Sequence, residues 1–208
     1  MTEPPLPVLL LHGLMMRSPA LLPLALRLRR RGFTPVIFSY STLWRAPGLA
    51  MERLAMRLYA MGEGPVHMVA HSLGGLIAAE TINRYQNLPA GRLVCMGSPI
   101  AGSAAARGLA ERRLGLVSGR SGALLRGGLI ELPRKREIGM IAGTRSLGLG
   151  RIFGHFDGIN DGTVAVWETR LPGLADHVVI PSSHTGLVFS GQAADLAATF
   201  LEYGRFRP

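Results

Sequence analysis

Residues 66–75 read Val-His-Met-Val-Ala-His-Ser-Leu-Gly-Gly, and the interpretation of the whole chain begins from this stretch. An apolar run typical of a β-strand ends at Ser72, and two glycines open the segment that follows. Small residues, Ala70 and Gly74, stand two places before and two places after the serine, so two backbones can pass closely there. The pattern is G-x-S-x-G with alanine in the first place, and it predicts a sharp strand-to-helix turn that exposes the serine hydroxyl.

Apolar runs of strand length alternate with helix-period segments along the rest of the chain. This alternation predicts an α/β fold with about six mostly parallel strands and helices on both faces. The predicted strands cover residues 8–11, 34–38, 66–70, 92–96, 138–142 and 177–180. The predicted helices cover residues 18–32, 51–62, 73–85 and 192–203. In the first of these helices Ser18 is the predicted N-cap and Pro19 the first helical residue, while Pro23 bends the helix or delays its start.

The length of 208 residues suits one hydrophobic core, and no stretch resembles an interdomain linker. We therefore expect a single domain over residues 1–208, without a large cap domain. Residues 97–133 do not follow the alternation and are rich in Gly, Ala, Ser and Arg, which makes them the one candidate for a small cap or a substrate-binding insertion. Residues 143–163 are glycine-rich and contain two Asp-Gly pairs.

The composition is that of a compact globular protein, with 48% hydrophobic and 17% charged residues. The single cysteine, Cys95, excludes an internal disulfide. No uncharged apolar run approaches the roughly 18 residues of a membrane-spanning helix, and the first residues lack the basic and apolar regions of a signal peptide. These features predict a cytoplasmic location.

The formal charge of +10 is carried almost wholly by arginine, since Lys135 is the only lysine. Basic residues cluster at residues 27–31, at Arg112 and Arg113, and at residues 134–136. Such clusters are typical either of solvated helix faces or of a surface that associates weakly with anionic membranes. No nucleic-acid partner is expected, because no recognition motif or aromatic stacking platform accompanies the charge.

Chemically active residues follow several of the predicted strands. The triplet His12-Gly13-Leu14 follows the first strand, Ser72 the third and His184 the last, while Asp161 lies in the loop after the fifth strand. Ligands of parallel sheets bind at the carboxyl ends of the strands, so we expect these residues to lie close together. The order Ser, Asp, His along the chain is that of the α/β-hydrolase triad.

Each of these residues has a predicted catalytic role. His184 takes the proton of Ser72 as general base, and the acid fixes the imidazole tautomer. The backbone N–H groups of Leu14 and Leu73 form the oxyanion hole. Asp161 is preferred as the acid because it precedes a β-branched run and lies nearer the histidine loop than Asp157. Asp157 and Asp176 remain alternatives.

Four further residues near these motifs have predicted roles. Met15 and Met16 line or cap an acyl-binding pocket. The ring of His12 braces the oxyanion loop, and His71 helps to position the turn. His67 and His71 would lie about 13 Å apart on a strand, too far for one metal ion, so we expect neither a metal nor a cofactor.

Together these motifs resemble the small bacterial lipases and esterases of the α/β-hydrolase superfamily. The residues that carry the resemblance are 10–14, 70–75, 96–99, 160–164 and 183–186, and residues 97–103 are similar to the Gly-Thr-Pro loop of triacylglycerol lipases and of lipases related to the inositol-deacylase group. The resemblance implies cleavage of carboxylic esters, with a small-molecule ester or lipid as substrate, through an acyl-enzyme. The chain departs from the family in having Ala70 for the first glycine, in beginning at the strand before His12, and in showing no long helical lid.

Two other functions stay open at this point. A thioesterase or an acyltransferase would use the same triad, because only the acceptor of the acyl group differs. A non-catalytic binding protein on this scaffold would be expected to have a broken triad, and none of Ser72, Asp161 and His184 is replaced.

Overall fold

The computed structural model describes residues 5–111, 115–147 and 158–207. Six strands form one sheet in the order β2-β1-β3-β4-β5-β6, and every neighbouring pair is parallel. This architecture confirms the predicted fold class. The strands are β1 (Pro7–Leu11), β2 (Thr34–Phe38), β3 (His67–His71), β4 (Leu93–Met96), β5 (Ile138–Gly143) and β6 (Asp176–Ile180).

Helices cover both faces of the sheet. They are α1 (Leu22–Arg30), α2 (Pro47–Tyr59), α3 (Leu73–Arg84), α4 (Ala104–Glu111), α5 (Gly122–Gly127), α6 (Gly186–Phe189) and α7 (Gly191–Tyr203). Shorter 3-10 helices occupy Ser18–Leu21, Gly115–Ser121 and Val166–Thr169. Among the described residues, none of the helices is long and apolar enough to cross a bilayer.

The alternation of side chains along β1 divides the core into two parts. Leu9 and Leu11 pack with buried residues of α2 and α3, whereas Val8 and Leu10 pack with those of α1 and α7. All four leucine and valine side chains are fully buried. Because successive residues of a strand point to opposite faces, one short apolar run supplies both layers of the core.

Several boundaries differ from those predicted. The structure begins α1 at Leu22, after a 3-10 turn, and Ser18 is not its N-cap, so that prediction was wrong. Pro23 is the second residue of α1, where a missing N–H disrupts no helical hydrogen bond. The helix α2 starts at Pro47, ahead of its amphipathic stretch, and β3 is shifted one residue towards Ser72.

Much of the segment 97–133 is helical and lies between β4 and β5. It comprises α4, the 3-10 helix Gly115–Ser121 and α5. The hydroxyl of Ser121 donates to the carbonyl of Thr42 at 2.8 Å, and the N–H of Arg120 donates to the carbonyl of Leu43 at 3.1 Å, so this segment contacts the loop after β2. Its role as a small cap stays a prediction, and Arg112 and Arg113 lie outside the described residues.

The packing of β5 against α7 generates a prediction about stability. A Cβ atom at Gly139 would lie 2.6 Å from ring atoms of Phe200 and 2.8 Å from Phe206, whose ring centroid is 4.9 Å from that of Phe200. We expect Gly139→Ala to lower the free energy of unfolding by about 1–3 kcal/mol through overpacking. In the control, Gly48→Ala in the first turn of α2, the new methyl group meets no atom within 4 Å, and the free energy of unfolding should change by less than about 1 kcal/mol. Chemical denaturation measures both, and equal stability of the two variants would contradict this packing.

Candidate active site

Ser72 lies at the sharp turn that the sequence predicts between β3 and α3. Its backbone has φ 53° and ψ −121°, a conformation that a residue with a side chain rarely adopts. The Ser72 N–H donates to the carbonyl of Met96 at 2.9 Å, and the Ser72 carbonyl accepts from the N–H of Gly75 at 3.0 Å. Strain of this kind persists only where the surroundings enforce it, and it is common at functional sites.

His184 and Asp161 form a buried acid–base pair. Nδ1–H of His184 donates to Oδ2 of Asp161 at 2.8 Å, and the His184 N–H donates to the Asp161 carbonyl at 2.9 Å. The other carboxylate oxygen of Asp161 accepts from the N–H groups of Thr163 and Val164 at 2.9 Å and 2.7 Å. With its proton held on Nδ1, the imidazole has Nε2 available to accept a proton.

The two alternative acids differ in what can be said of them. Asp176 is the first residue of β6 and so lies at the amino ends of the strands, away from the carboxyl ends that carry Ser72. Its carboxylate accepts from the N–H groups of His177 and Phe206. Asp157 lies outside the described residues. Among the described residues Asp161 is therefore the acid that contacts His184.

Gly97 brings the serine and the acid–base pair together. It follows Met96, whose carbonyl binds the Ser72 N–H, and its φ is 58°. A Cβ atom at Gly97 would lie 3.1 Å from Nδ1 of His184 and 3.2 Å from Oδ2 of Asp161. No hydrogen bond joins the Ser72 hydroxyl to another described residue; catalytic hydrogen bonds of this kind are often long without substrate.

The loop after β1 packs directly on the serine. A Cβ atom at Gly13 would lie 2.9 Å from Nδ1 of His71 and 3.0 Å from Cβ of Ser72, so glycine permits this approach. Leu14 lies in the turn that the N–H of Met16 closes on the Gly13 carbonyl at 3.3 Å. Leu73 is the first residue of α3, where an N–H group has no helical acceptor. Two backbone donors thus lie in the segments that flank Ser72.

Aromatic residues hold the same loop in place. The ring of His12 stacks on Tyr40 with centroids 4.4 Å apart, and its Nδ1–H donates to the Gly13 carbonyl at 3.0 Å. The hydroxyl of Tyr40 donates to the His12 carbonyl. The predicted bracing role of His12 agrees with these contacts, whereas Tyr40 lies in a loop whose sequence gave no signal.

The two methionines of this loop point in different directions. Met15 is 65% exposed and has φ 56°, and its N–H donates to Oγ1 of Thr42 at 3.3 Å. Met16 is half-buried and packs against the part of the core that includes α1 and α7. The contacts of Met16 are those of a core residue, and a substrate-binding role for Met15 and Met16 stays a prediction.

His71 connects the turn to the histidine loop. Its Nε2–H donates to the carbonyl of His184 at 3.0 Å, and the two rings are 4.7 Å apart. Burial, followed by the charge of His184, lowers the pKa of His71 to about 3, so the ring is neutral at physiological pH. His67 lies at the other end of β3, where burial and the charges of Arg92 and Arg136 lower its pKa to about 4.

One buried acid near this site, Glu168, has no recognisable motif in the sequence. Glu168 is fully buried in the 3-10 helix after Asp161, and its carboxylate accepts from two backbone N–H groups, those of Ala104 and Ala165. Burial raises the pKa of Glu168, while these hydrogen bonds and the charge of Arg107 act in the opposite direction. The only sequence signal was a single acid inside a short apolar run.

Comparison with known proteins gives a consistent result. A model of the alpha/beta hydrolase family matches residues 8–203, and no curated protein matches the chain. The chain is similar to the mature lipase BlEst2 of Bacillus licheniformis, with a TM-score of 0.71 and 19% identity over 97% of this chain and 92% of that one. It is also similar to the metagenomic carboxyl esterase MGS0156, with a TM-score of 0.73 and 16% identity over 98% of this chain and 77% of that one. The chain is also similar to a membrane phospholipase A, described as a bacterial virulence factor, with a TM-score of 0.63 and 18% identity over 97% of this chain and 80% of that one.

The environment of His71 generates a prediction about protonation. We expect its imidazole nitrogens to keep the neutral pattern, with the proton on Nε2, from about pH 8 to about pH 4, because its pKa is about 3. An imidazole ¹⁵N titration measures this, with the signal assigned by its loss in His71→Gln. Between about pH 6.5 and pH 3 the unfolded chain binds a proton at this histidine and the folded chain does not. The free energy of unfolding therefore falls by up to about 1.4 kcal/mol per pH unit as the pH is lowered through this range. Titration of His71 near pH 6.5 would contradict the burial.

Proposed function

The chain belongs to the alpha/beta hydrolase family, and from that premise we propose that it is a serine hydrolase that cleaves carboxylic esters through an acyl-enzyme. The observation that carries the proposal is the hydrogen bond of 2.8 Å between His184 and Asp161, beside the strained turn at Ser72. Fold alone would support no particular chemistry, because this scaffold serves many reactions.

In the proposed reaction Ser72 is the nucleophile. His184 accepts the hydroxyl proton at Nε2 while the Ser72 oxygen attacks the ester carbonyl, and it then protonates the leaving alcohol. Asp161 holds the imidazole in the required tautomer and stabilises the imidazolium ion. Water, activated by the same histidine, attacks the acyl-enzyme and releases the carboxylic acid.

The negative charge of each tetrahedral intermediate needs donors on the other side of the carbonyl. The N–H groups of Leu14 and Leu73 are proposed for this role, since Gly13 packs against Ser72 and Leu73 begins a helix. The partial positive charge at the amino end of α3 favours the same oxyanion. A single donor of this kind contributes about 3–4 kcal/mol to lowering the barrier.

The proposed substrate is a small-molecule ester or a lipid. A lipase and a carboxyl esterase are among the similar structures, which favours an ester as substrate. At this sequence identity the similarity is one of fold. A thioesterase or an acyltransferase is the second candidate and would use the same three residues with a different leaving group or acceptor. Weak association with an anionic membrane surface and a cytoplasmic location stay predictions from the sequence.

The role of Ser72 is tested by covalent labelling. We expect a fluorophosphonate probe to label the purified protein at Ser72 and short-chain p-nitrophenyl esters to be hydrolysed, because the probe traps a serine that a neighbouring base activates. Ser72→Ala should lose the label and the hydrolysis, whereas Ser118→Ala, at a buried serine of the segment before α5, should retain both. Mass spectrometry of the labelled peptide and initial rates measure the two effects. Full labelling or full activity in Ser72→Ala would refute the proposal.

The role of Asp161 is tested by a pair of isosteric changes. Asp161→Asn replaces an acceptor of the His184 Nδ1–H by an amide that favours the wrong tautomer, and we expect kcat to fall by about 10⁴-fold. Asp157→Asn is the matched control, and its kcat should stay close to that of the unsubstituted protein. Steady-state kinetics on one ester measures both variants. A large loss confined to Asp157→Asn would identify the other acid.

A further inference from the structure

Two buried carboxylates, one of them that of the proposed acid Asp161, accept from three successive backbone N–H groups. Asp161 accepts from Thr163 and Val164, at 2.9 Å and 2.7 Å, and Glu168 accepts from Ala165 at 2.7 Å. The backbone of this loop is therefore held by side-chain oxygens as well as by its own turn, in which Asp161 N–H donates to the Val164 carbonyl at 3.0 Å.

Glu168 also binds the segment that follows β4. Its second carboxylate oxygen accepts from the N–H of Ala104, the first residue of α4, and its own carbonyl accepts from the N–H of Ala101 at 2.9 Å. The loop after β4 carries Gly97, and the loop after β5 carries Asp161. Glu168 therefore joins two loops that both lie beside Nδ1 of His184.

A carboxyl group satisfies both donors of this arrangement, because each of its oxygens can accept a hydrogen bond. A carboxamide places an NH₂ group, which donates and cannot accept, opposite one of the two N–H groups. The amino end of α4 and the charge of Arg107 stabilise a negative group here, although Asp161 lies near it and opposes it. Since Glu168 is fully buried, solvent does not supply the missing partner.

We propose that Glu168 is a positioning residue, which fixes Asp161 against His184 by binding the N–H groups of Ala104 and Ala165. It touches neither the substrate nor the reacting atoms and acts through the loop that carries Asp161. The inference rests on the proposed function, because Asp161 is the acid only in the proposed triad. It adds a residue that holds this acid in place, which neither the sequence motifs nor the family match indicates.

The main test is Glu168→Gln, which keeps the size of the side chain and removes one acceptor. We expect kcat for ester hydrolysis to fall by about 10–100-fold while KM changes less than about 2-fold, because misplacement of a catalytic pair by a fraction of an ångström slows the chemical step rather than binding. The low-field ¹H resonance of the His184 Nδ1 proton should shift or broaden. Glu80→Gln is the matched control, since Glu80 binds Arg84 on its own helix, and it should leave kcat and the resonance unchanged.

A second variant keeps the glutamate and removes a donor. Ala104→Pro deletes the N–H that binds Glu168 at the first residue of α4, where proline is well tolerated, and Ser103 still caps the helix through the N–H of Ala106 at 3.2 Å. We expect a smaller change of the same sign in kcat and in the His184 resonance. All assays are run below the midpoint of thermal unfolding measured for each variant, and Ala104→Pro decides the matter where Glu168→Gln does not fold.

The outcomes separate this inference from the proposed function. The positioning role would be overturned if folded Glu168→Gln had the same kcat and the same imidazole resonance as the unsubstituted protein. It would also be overturned if the loss of kcat were no larger than the fraction of Glu168→Gln that is unfolded. The same result for folded Ala104→Pro would overturn it when Glu168→Gln is unfolded. The resonance reports the His184–Asp161 hydrogen bond whatever the substrate is, whereas failure of Ser72 to be labelled would refute the serine hydrolase without changing that readout.

Discussion

The strained turn at Ser72 is the constraint on which the rest of the site depends. Its positive φ costs about 1–3 kcal/mol and persists because neighbouring backbones enclose it. A Cβ atom at Gly74 would lie 2.9 Å from the His12 carbonyl oxygen, and one at Gly75 would lie 2.7 Å from Cβ of Ser98. The amino end of α3 is thus pressed between the ends of β1 and β4. Only glycine allows this approach, and the same approach brings the loop of Gly13 and the loop of Gly97 to the serine.

Several buried side chains at the carboxyl ends of the strands form hydrogen bonds with the backbone. His71 donates to the carbonyl of His184, Asp161 accepts from Thr163 and Val164, and Glu168 accepts from two further N–H groups. An unsatisfied buried group costs about 1–3 kcal/mol, so these bonds fix the loops in one arrangement. The result is a set of loops without long regular structure that hold His184 and Asp161 against each other, close to the turn at Ser72.

The residues that could be predicted from the sequence are those whose signal is local. The parallel direction of the strands follows from the alternation of apolar runs and helix-period segments. The placement of Ser72, Asp161 and His184 follows from the rule that ligands of parallel sheets bind at the carboxyl ends of the strands. The strand boundary at His71 was displaced because a histidine interrupts the apolar pattern, although the side chain is buried and bonded to His184. Glu168 could not be assigned a role, since its partners Ala104 and Ala165 are defined only when two distant loops meet. The helices of residues 97–133 were missed because Gly, Ala and Arg give no clear periodicity.

The fold places two of the basic clusters, and their positions bear on whether these clusters could bind an anionic membrane. Arg27 donates to the carbonyl of Phe189 at 2.7 Å, and buried Arg136 donates to the carbonyls of Val66 and Pro89, so part of the charge joins elements of the fold. The other arginines of these clusters include exposed Arg29 and Arg30, which end α1 just before β2 begins. Residues 134–136 likewise precede β5. Both clusters therefore lie at the amino ends of the strands, opposite the edge that carries Ser72. An anionic membrane that bound these two clusters would lie on the side of the protein away from Ser72, which favours their interpretation as solvated helix ends. Arg112 and Arg113, the third cluster, lie outside the described residues.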